Sequence, residues 1–434
     1  MVSTRDKFNI MGAVSQAGVD EANREFYGKI TYPWPQLTYP VYSDPGWATI
    51  FLNQELGDWS HERVPARPRI WVAGCGSNQA TLTALKFPQS EIVATDISSP
   101  SLAVCERNLS QLGLKNVRLE EQSINAATFE EEFDYVICTG VIHHNADPSA
   151  PLKRLAAALK RDGLLELMVY NYYHRILTTA YQKAMSYLFR DSGAGLDEQL
   201  AFTRELMAGF PVENMMALYL FQQKDESREY LADSFLQPVE HSYTVESLTE
   251  LLETAGMEIN QPCINVLDKA AARSIWNLNF RNKRLAALYD ALTDFERWQV
   301  SNLLMVEKSP SLYFYAQRKD SSFGRKTEQE ICREFLETRF ERYSSTIENY
   351  VSKGDGTYRL NPAPIPHPSP PAPIDATARA VFKEVGPERT IGEILKSLNV
   401  EPSFYAVNLM RLHLTTPLYP YLRAGGPRGP GEDF

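Results

Sequence analysis

Residues 69–170 alternate short apolar runs with helical segments, and this alternation constrains the fold more than any other feature. The first apolar run, residues 70–73, passes directly into the turn Gly74-Cys75-Gly76. This pattern predicts a buried strand that ends in a tight turn. Because glycine has no side chain, such a turn lets the backbone approach a bound ligand closely.

Four more strands are predicted in this stretch, over residues 91–96, 117–122, 133–138 and 164–170. Helices are predicted between them over residues 99–112, with Ser99 as N-cap, and over residues 148–160. Strict alternation of strand and helix predicts a parallel sheet with right-handed crossovers. Ligands of such sheets bind beyond the carboxyl ends of the strands.

The second predicted strand ends in Asp96, twenty residues after Gly76. An acid in that place can accept hydrogen bonds from both hydroxyls of a ribose. A complete dinucleotide fingerprint also needs a third glycine three positions after the second. The chain has Gln79 there, so the oxidoreductase pattern is broken.

The motifs follow one another in the order Gly74-Cys75-Gly76, Asp96, Gln122-Ser123-Ile124, Thr139-Gly140, His143-His144 and Asp147-Pro148. This ordered set resembles the class I S-adenosylmethionine-dependent methyltransferase family. The resemblance covers residues 69–170 and extends loosely to about residue 318, where residues 311–316 fit the closing strand. It implies an α/β fold with a Rossmann-like, seven-stranded methyltransferase sheet.

The resemblance also implies a site for S-adenosyl-L-methionine, with S-adenosyl-L-homocysteine as product. It assigns nine residues to the cofactor: Gly74, Cys75 and Gly76 beneath the methionine part, Asp96 at the ribose, Ile97 against the adenine, Ser123 and Ile124 at the adenine edge, and Thr139 and Gly140 near the sulfonium. One departure is that the family often has an acid at the end of the third strand, where this chain has Gln122.

The candidate catalytic residues are His143, His144, Tyr32 and His174. Both members of the histidine pair follow the fourth strand, near the expected methyl position, and histidine titrates near neutrality. Either could therefore serve as a base, with His143 preferred, although the pair could instead only shape the loop. Further candidates for contact with the acceptor are Tyr27, Tyr172, Tyr173 and His241. A base is needed only where the acceptor atom carries a proton.

Five segments are predicted: an N-terminal arm or lid over residues 1–68, a core over 69–318 with a helical insertion at about 176–230, a helix and proline-rich linker over 319–373, a small winged-helix-like domain over 374–424, and a disordered tail over 425–434. The arm is rich in aromatic residues and proline, so it must cover an apolar surface. It could be a lid over the pocket, or it could pack on the sheet edge or on a partner chain. Polar sequence over residues 327–350 predicts a long helix, and alternating prolines over 361–373 predict an extended spacer.

The net charge of −10 argues against nonspecific binding to nucleic acid or to anionic membranes. The start of the chain lacks an apolar leader, and no apolar run is long enough to span a bilayer, so a cytoplasmic protein is expected. Five scattered cysteines without metal-ligand spacing predict reduced thiols and no metal site. The arm and the C-terminal domain both offer surfaces for a homodimer.

Three functions remain open. The leading hypothesis is a methyltransferase of specialised metabolism that moves a methyl group to a small organic acceptor by in-line displacement. The second is a protein methyltransferase, because the layout of arm, core with insertion and C-terminal domain is similar to that of bacterial protein lysine methyltransferases. The third is a non-catalytic, cofactor-binding interaction protein. A closed apolar pocket would favour the first hypothesis, and an open groove lined by acids would favour the second.

Overall fold

The computed structural model describes residues 15–30, 36–263, 276–306, 309–343, 345–366, 375–416 and 422–425. The strands are β1 (Thr38–Tyr42), β2 (Ile70–Ala73), β3 (Ile92–Asp96), β4 (Val117–Glu121), β5 (Phe133–Thr139), β6 (Leu159–Asn171), β7 (Ser242–Tyr243), β8 (Met257–Pro262), β9 (Ser311–Arg318), β10 (Phe340–Arg342), β11 (Thr346–Ser352), β12 (Tyr358–Pro366) and β13 (Leu422–Ala424).

The described helices are α1 (Gln16–Lys29), α2 (Trp47–Glu55), α3 (Gln79–Lys86), α4 (Ser99–Gln111), α5 (Ser149–Ala158), α6 (Tyr172–Phe189), α7 (Leu196–Ala208), α8 (Met215–Gln223), α9 (Arg228–Phe235), α10 (Val245–Glu253), α11 (Lys283–Asp290), α12 (Asp294–Leu304), α13 (Glu328–Glu337), α14 (Ala376–Glu384), α15 (Ile391–Ser397) and α16 (Phe404–Thr415). None of these helices is both long and apolar enough to cross a bilayer.

The central sheet has the strand order β4-β3-β2-β5-β6-β9-β8, and the short strand β7 pairs with β6. Strands β2 to β6 are parallel, whereas β9 runs antiparallel between β6 and β8. All four residues of β2 are buried, as expected of a central strand covered on both faces. The predicted α/β, Rossmann-like methyltransferase fold is therefore confirmed. Its parallel strands bring the loops after β2, β3, β4 and β5 to one edge.

The cap of helix α4 differs by one residue from the sequence prediction. The hydroxyl of Ser98, not that of Ser99, accepts a hydrogen bond from the backbone N–H of Ser101. Ser98 in turn donates its own backbone N–H to Asp96. The acid at the end of β3 therefore fixes the start of α4 one residue earlier than the proline suggested.

Helix α1 packs on the helical insertion and not only on the sheet. Its residue Phe26, and Ile30 directly after it, lie in one apolar cluster with Tyr181, Met185 and Phe235 of the insertion. The insertion comprises α6 to α9, so it is somewhat longer than the predicted residues 176–230. Tyr32 and the prolines at positions 33 and 35 lie outside the described residues.

The prediction of a helix over residues 327–350 is wrong beyond residue 337. Strand β11 lies there and pairs with β1 on one side and with β12 on the other. Residues 346–352 include β-branched and aromatic side chains that favour a strand once partners are present. These partners come from distant parts of the chain, so the local sequence alone did not reveal them.

The prediction of a proline-rich spacer over residues 361–373 is also wrong for its first part. Residues 361–366 belong to β12, and residues 367–374 lie outside the described residues. Proline lacks the N–H that a central strand must donate, but an edge strand tolerates it. The prolines of this small sheet lie on its two edge strands, as Pro40 in β1 and as positions 362, 364 and 366 in β12, whereas the central β11 contains none.

The C-terminal unit contains the helices α14, α15 and α16, together with the antiparallel pair of β10 and β13. Its apolar core also includes Phe335 of α13 and Phe340 of β10, so α13 is part of this unit and not of a linker. The unit is attached to the sheet domain by buried polar contacts: Arg297 bonds to Glu328 at 3.3 Å, and Gln54 donates to Thr415 O at 2.7 Å. Residues 426–434, most of the predicted tail, lie outside the described residues.

Candidate active site

The glycine turn after β2 requires the absence of side chains. Gly74 and Gly76 have φ values of +73° and +51°, which favour glycine. A Cβ atom on Gly74 would lie 2.4 Å from Val141 Cγ2, in the loop after β5. The backbone N–H groups of Gly74 and Cys75 both donate to Thr95 O, at 2.8 and 2.9 Å. The turn is thus held against β3. Because it has no side chains at Gly74 and Gly76, a ligand in the space above it can approach its backbone closely.

Asp96 faces this turn from the end of β3. Its Oδ2 accepts the N–H of Gly76 at 2.7 Å, and its Oδ1 accepts the N–H of Ser98 at 2.9 Å. Burial raises the pKa of Asp96, while these backbone donors act in the opposite direction. Each carboxylate oxygen can accept a second hydrogen bond. The geometry therefore suits an acid that also accepts from a pair of ribose hydroxyls.

The turn and Asp96 form part of one cavity of about 270 Å³. All nine residues assigned above to a cofactor line it: Gly74, Cys75, Gly76, Asp96, Ile97, Ser123, Ile124, Thr139 and Gly140. Gln122, which replaces the family's usual acid, lines it too, and its Oε1 is buried without a hydrogen-bond partner. A buried acceptor without a partner is costly unless a ligand supplies a donor. The amino group of an adenine would supply one, so the residues present fit a nucleoside cofactor.

Helix α1 closes one side of the cavity. Asp20, Asn23 and Tyr27 lie on one face of the helix and all line the cavity wall. Each also bonds to another residue of this wall: Asp20 accepts from Ser123 Oγ at 2.8 Å, the Asn23 amide donates to His144 O at 2.8 Å, and the Tyr27 hydroxyl donates to Asp233 at 3.2 Å. These contacts support the interpretation of the N-terminal arm as a lid.

Asp233 of helix α9 is the prominent functional group that sequence reasoning missed. It is 3% exposed and lines the cavity. The hydroxyls of Tyr27 and Tyr170 donate to its two oxygens, at 3.2 and 3.4 Å. Burial raises the pKa of this carboxyl to about 6, against the opposing effect of the nearby Arg175 charge. The one available signal was an acid within the largely apolar stretch from Tyr230 to Phe235.

A buried ion pair holds Asp233 and Tyr170 in place. Arg175 donates to both carboxylate oxygens of Glu240, at 2.8 and 2.6 Å, and to Ser234 O at 3.1 Å. Its guanidinium carbon also lies 4.1 Å from the centre of the Tyr170 ring. The bidentate pair therefore fixes Ser234, which is next to Asp233, and Tyr170, whose hydroxyl donates to Asp233.

Of the four candidate catalytic residues, the structure places His144 on the cavity wall. Its Nδ1 lies 2.9 Å from Val239 O, and burial lowers its pKa to about 3, so it is neutral at physiological pH. His143 is fully buried against the Tyr170 ring, 4.3 Å between centres, and does not line the cavity. Burial lowers its pKa as well. Neither imidazole is therefore suited to act as a base near neutrality.

The other candidates contribute less to the cavity. His174 lies in the first turn of α6 and does not line the cavity, and Tyr32 lies outside the described residues. His241 Nε2 lies 3.0 Å from Asn145 O, which supports the loop after β5. Tyr27 does line the cavity, whereas Tyr172 and Tyr173 do not. Within the described residues, no cluster of three or more His, Cys, Asp or Glu could hold a metal ion.

Comparison with known proteins gives a family for the core. Residues 71–165 match the model of a family described as a methyltransferase domain. An uncharacterized protein of Synechococcus sp. is 28% identical over 266 residues, which is 58% of this chain and 62% of that protein. The release factor glutamine methyltransferase of Bordetella pertussis is 34% identical over 115 residues, or 26% of this chain and 40% of that enzyme. The chain thus spans less than two thirds of the length of these relatives.

Solved structures share the fold over a larger part of the chain. The structure of PKMT2 from Rickettsia typhi in complex with AdoHcy covers 87% of this chain and 76% of that chain, with a TM-score of 0.54 and 13% identity. A second structure of PKMT2 from the same organism gives a TM-score of 0.55 over 90% of this chain. At this identity the likeness concerns the fold.

Proposed function

Because the chain carries a class I S-adenosylmethionine-dependent methyltransferase domain, we propose that it moves a methyl group from S-adenosylmethionine to a small organic acceptor whose reacting atom carries a proton. One observation carries this proposal. The cavity that contains the glycine turn and Asp96 also contains Asp233, a buried carboxyl whose pKa of about 6 suits a base near neutrality. The proposed setting is specialised metabolism.

The residues of the cavity have three roles: they hold the cofactor, act as the base, and exclude water. The turn at Gly74 and the carboxylate of Asp96 hold the cofactor, which when bound supplies an electrophilic methyl group on a sulfonium. Asp233 takes the proton from the acceptor atom as that atom attacks. The hydroxyls of Tyr27 and Tyr170 donate to the Asp233 carboxylate and so hold it in position. Helix α1 keeps water out and holds the acceptor in line, which is the main requirement of a displacement reaction.

The polar contacts of α1 favour a small acceptor over a large one. Three residues of this helix bond to other residues of the cavity wall, so a large substrate would have to displace the helix. The second candidate is a protein acceptor. What favours it is the fold that 87% of this chain shares with PKMT2 from Rickettsia typhi, beside the order of N-terminal arm, insertion and C-terminal unit in this chain.

The test begins with calorimetric titration of S-adenosylmethionine and S-adenosylhomocysteine into the wild type, Asp96→Ala and Asp96→Asn. Binding in the wild type and a large loss in Asp96→Ala are expected, with a smaller loss in Asp96→Asn. A screen with a labelled methyl donor then identifies acceptors. Absence of binding to either compound would refute the proposal. Binding without turnover across a broad panel would instead support a non-catalytic, cofactor-binding protein.

A further inference from the structure

The charged side chains that line the cavity are all acidic. Among the described residues they are Asp20, Asp96 and Asp233, and neither lysine nor arginine lines the wall. His144 adds no positive charge, because burial keeps its imidazole neutral. Arg175 lies nearby, but its guanidinium is already held by both oxygens of Glu240. The wall therefore presents negative charge to whatever enters it.

Two of these three carboxylates already have a role. Asp96 accepts the N–H groups of Gly76 and Ser98 at the cofactor turn. Asp20 accepts hydrogen bonds from Ser123 at 2.8 Å and from Gln16 at 2.6 Å, and so closes the lid. Asp233 remains, and its hydrogen bonds come from two neutral phenols. Asp233 is thus the carboxylate of the cavity wall that is available to bind a ligand.

We propose, on the basis of the methyltransferase function above, that the acceptor is an amine that enters the cavity as an ammonium ion and binds to Asp233. A buried carboxylate with neutral donors alone is poorly compensated, and an ammonium group supplies the missing charge and further donors. The adjoining ring of Tyr27, which lines the cavity, also suits a cation. A carboxylate or phosphate acceptor would instead add negative charge to a wall that has three acids, which opposes binding.

The chemistry balances with the groups present. The ammonium gives one proton to the Asp233 carboxylate, so an N–H bond breaks and an O–H bond forms. The freed nitrogen lone pair then forms the new N–CH₃ bond as the methyl–sulfur bond breaks, and the sulfur keeps that electron pair. The products are a methylated ammonium and a neutral thioether. Asp233 returns its proton to water when the product leaves.

The experiment uses the full-length protein saturated with S-adenosylhomocysteine and a panel of matched triplets. Each triplet shares one scaffold and differs in its headgroup, as in 2-phenylethylamine, 2-phenylethanol and phenylacetate. Binding is measured by calorimetry or ligand-observed NMR. We expect amines to bind at least about tenfold more tightly than the matched alcohols, with the carboxylates weakest. Asp233→Asn should abolish this preference, whereas Asp355→Asn, in an exposed turn, should preserve it.

The outcomes separate this inference from the proposed function. If S-adenosylhomocysteine does not bind, the methyltransferase function itself fails. If it binds but amines are not preferred on any scaffold, the amine inference is overturned and the methyltransferase function stands. If Asp233→Asn weakens S-adenosylmethionine but not S-adenosylhomocysteine, Asp233 serves the sulfonium and the inference is overturned as well.

A second arm distinguishes free amines from lysine side chains, which share the same chemistry. Labelled methyl transfer is measured to the small amines, to N-acetyl-lysine methylamide and to a lysine-rich peptide. Labelling confined to the small amines would identify a free amine as the acceptor. Labelling of the peptide at comparable kcat/KM would identify a lysine side chain. Labelling of alcohols or carboxylates in preference to all amines would overturn the inference.

Discussion

The Asp20 carboxylate accepts a hydrogen bond of 2.8 Å from the Ser123 hydroxyl, 103 residues further along the chain. This bond joins helix α1 to the loop after β4, and both residues line the cofactor cavity. A lid held in this way should retain its ligand longer than an open cleft. The contribution of the Asp20–Ser123 hydrogen bond can therefore be measured as a change in the affinity for S-adenosylhomocysteine.

Asp20→Ala and Ser123→Ala should each weaken binding of S-adenosylhomocysteine by about fivefold, since one such hydrogen bond is worth about 1 kcal/mol. The double variant should lose little more than either single variant, because both changes remove the same bond. The measurement is a double-mutant cycle by calorimetry. Fully additive losses would show that the two residues act independently of each other.

Gly74 and Gly113 form a matched pair for testing the glycine turn. Their φ values are +73° and +69°, but a Cβ at 74 would lie 2.4 Å from Val141, whereas a Cβ at 113 would meet nothing within 4 Å. Gly113→Ala should lower the free energy of unfolding by roughly 1–2 kcal/mol, from the left-handed backbone alone. Gly74→Ala should lower it further and abolish cofactor binding. Urea unfolding and calorimetry measure the two effects.

A double variant identifies the cause of the larger effect at position 74. Gly74→Ala combined with Val141→Ala removes the side chain that the new Cβ meets. Part of the lost stability should return relative to Gly74→Ala. If none returns, the strain lies in the backbone or in another contact.

The pH dependence of the reaction should report Asp233. Its pKa of about 6 in the folded chain means that the basic, ionised form predominates above pH 6. We expect kcat/KM to rise about tenfold per pH unit below pH 6 and to level off above it. Asp233→Asn should lower kcat/KM and remove this step from the profile. A wild-type profile that stays flat between pH 5 and 7 would exclude Asp233 as the base.

Asp233 should also lower stability at neutral pH. Its pKa rises from 3.8 to about 6 on folding, so the folded chain binds a proton that the unfolded chain releases between these values. Stability from this group therefore falls as the pH rises from 4 to 6 and stays low above pH 6. Asp233→Asn should melt at a higher temperature than the wild type at pH 8. The difference should shrink at pH 4, and thermal denaturation at both pH values measures it.

The contact between the sheet domain and the C-terminal unit depends on Arg297. This residue is 1% exposed and pairs with Asp294 and Glu328. Arg297→Met should lower the free energy of unfolding by about 3–5 kcal/mol, because it leaves buried carboxylates without that partner. Arg389→Met, which removes an exposed pair with Glu384, should cost less than about 1 kcal/mol. Equal effects in urea unfolding would contradict the assignment of Arg297 as a buried anchor.

The sequence predicted well the parts of the site that depend on local pattern and on parallel topology. The turn at Gly74 and the acid at position 96 each lie at the end of a buried strand, and the parallel sheet brings such strand ends together. Asp233 could not be found in this way. It reaches the cavity only because the insertion folds back and packs against α1, and no local pattern encodes that packing.

The errors after residue 337 have a similar cause. Residues 346–352 are polar enough to suggest a helix, and their role as a strand depends on pairing with Thr38–Tyr42 and Tyr358–Pro366. Strand propensity is weak until such partners are present. The single-residue shift of the cap from Ser99 to Ser98 reflects a tertiary contact as well, the hydrogen bond to Asp96.

The pairing of β1 with β11 also has a consequence for biosynthesis. Ser43, which follows β1, and Ser345, which precedes β11, lie 302 positions apart in the chain. A ribosome that adds about 5–20 residues per second needs roughly 15–60 seconds to make that length. Throughout this interval β1 has emerged but its partner strand does not yet exist. Residues 38–42 must therefore stay without their strand partner until residues 346–352 have been synthesised, so this small sheet forms much later than its first strand is made.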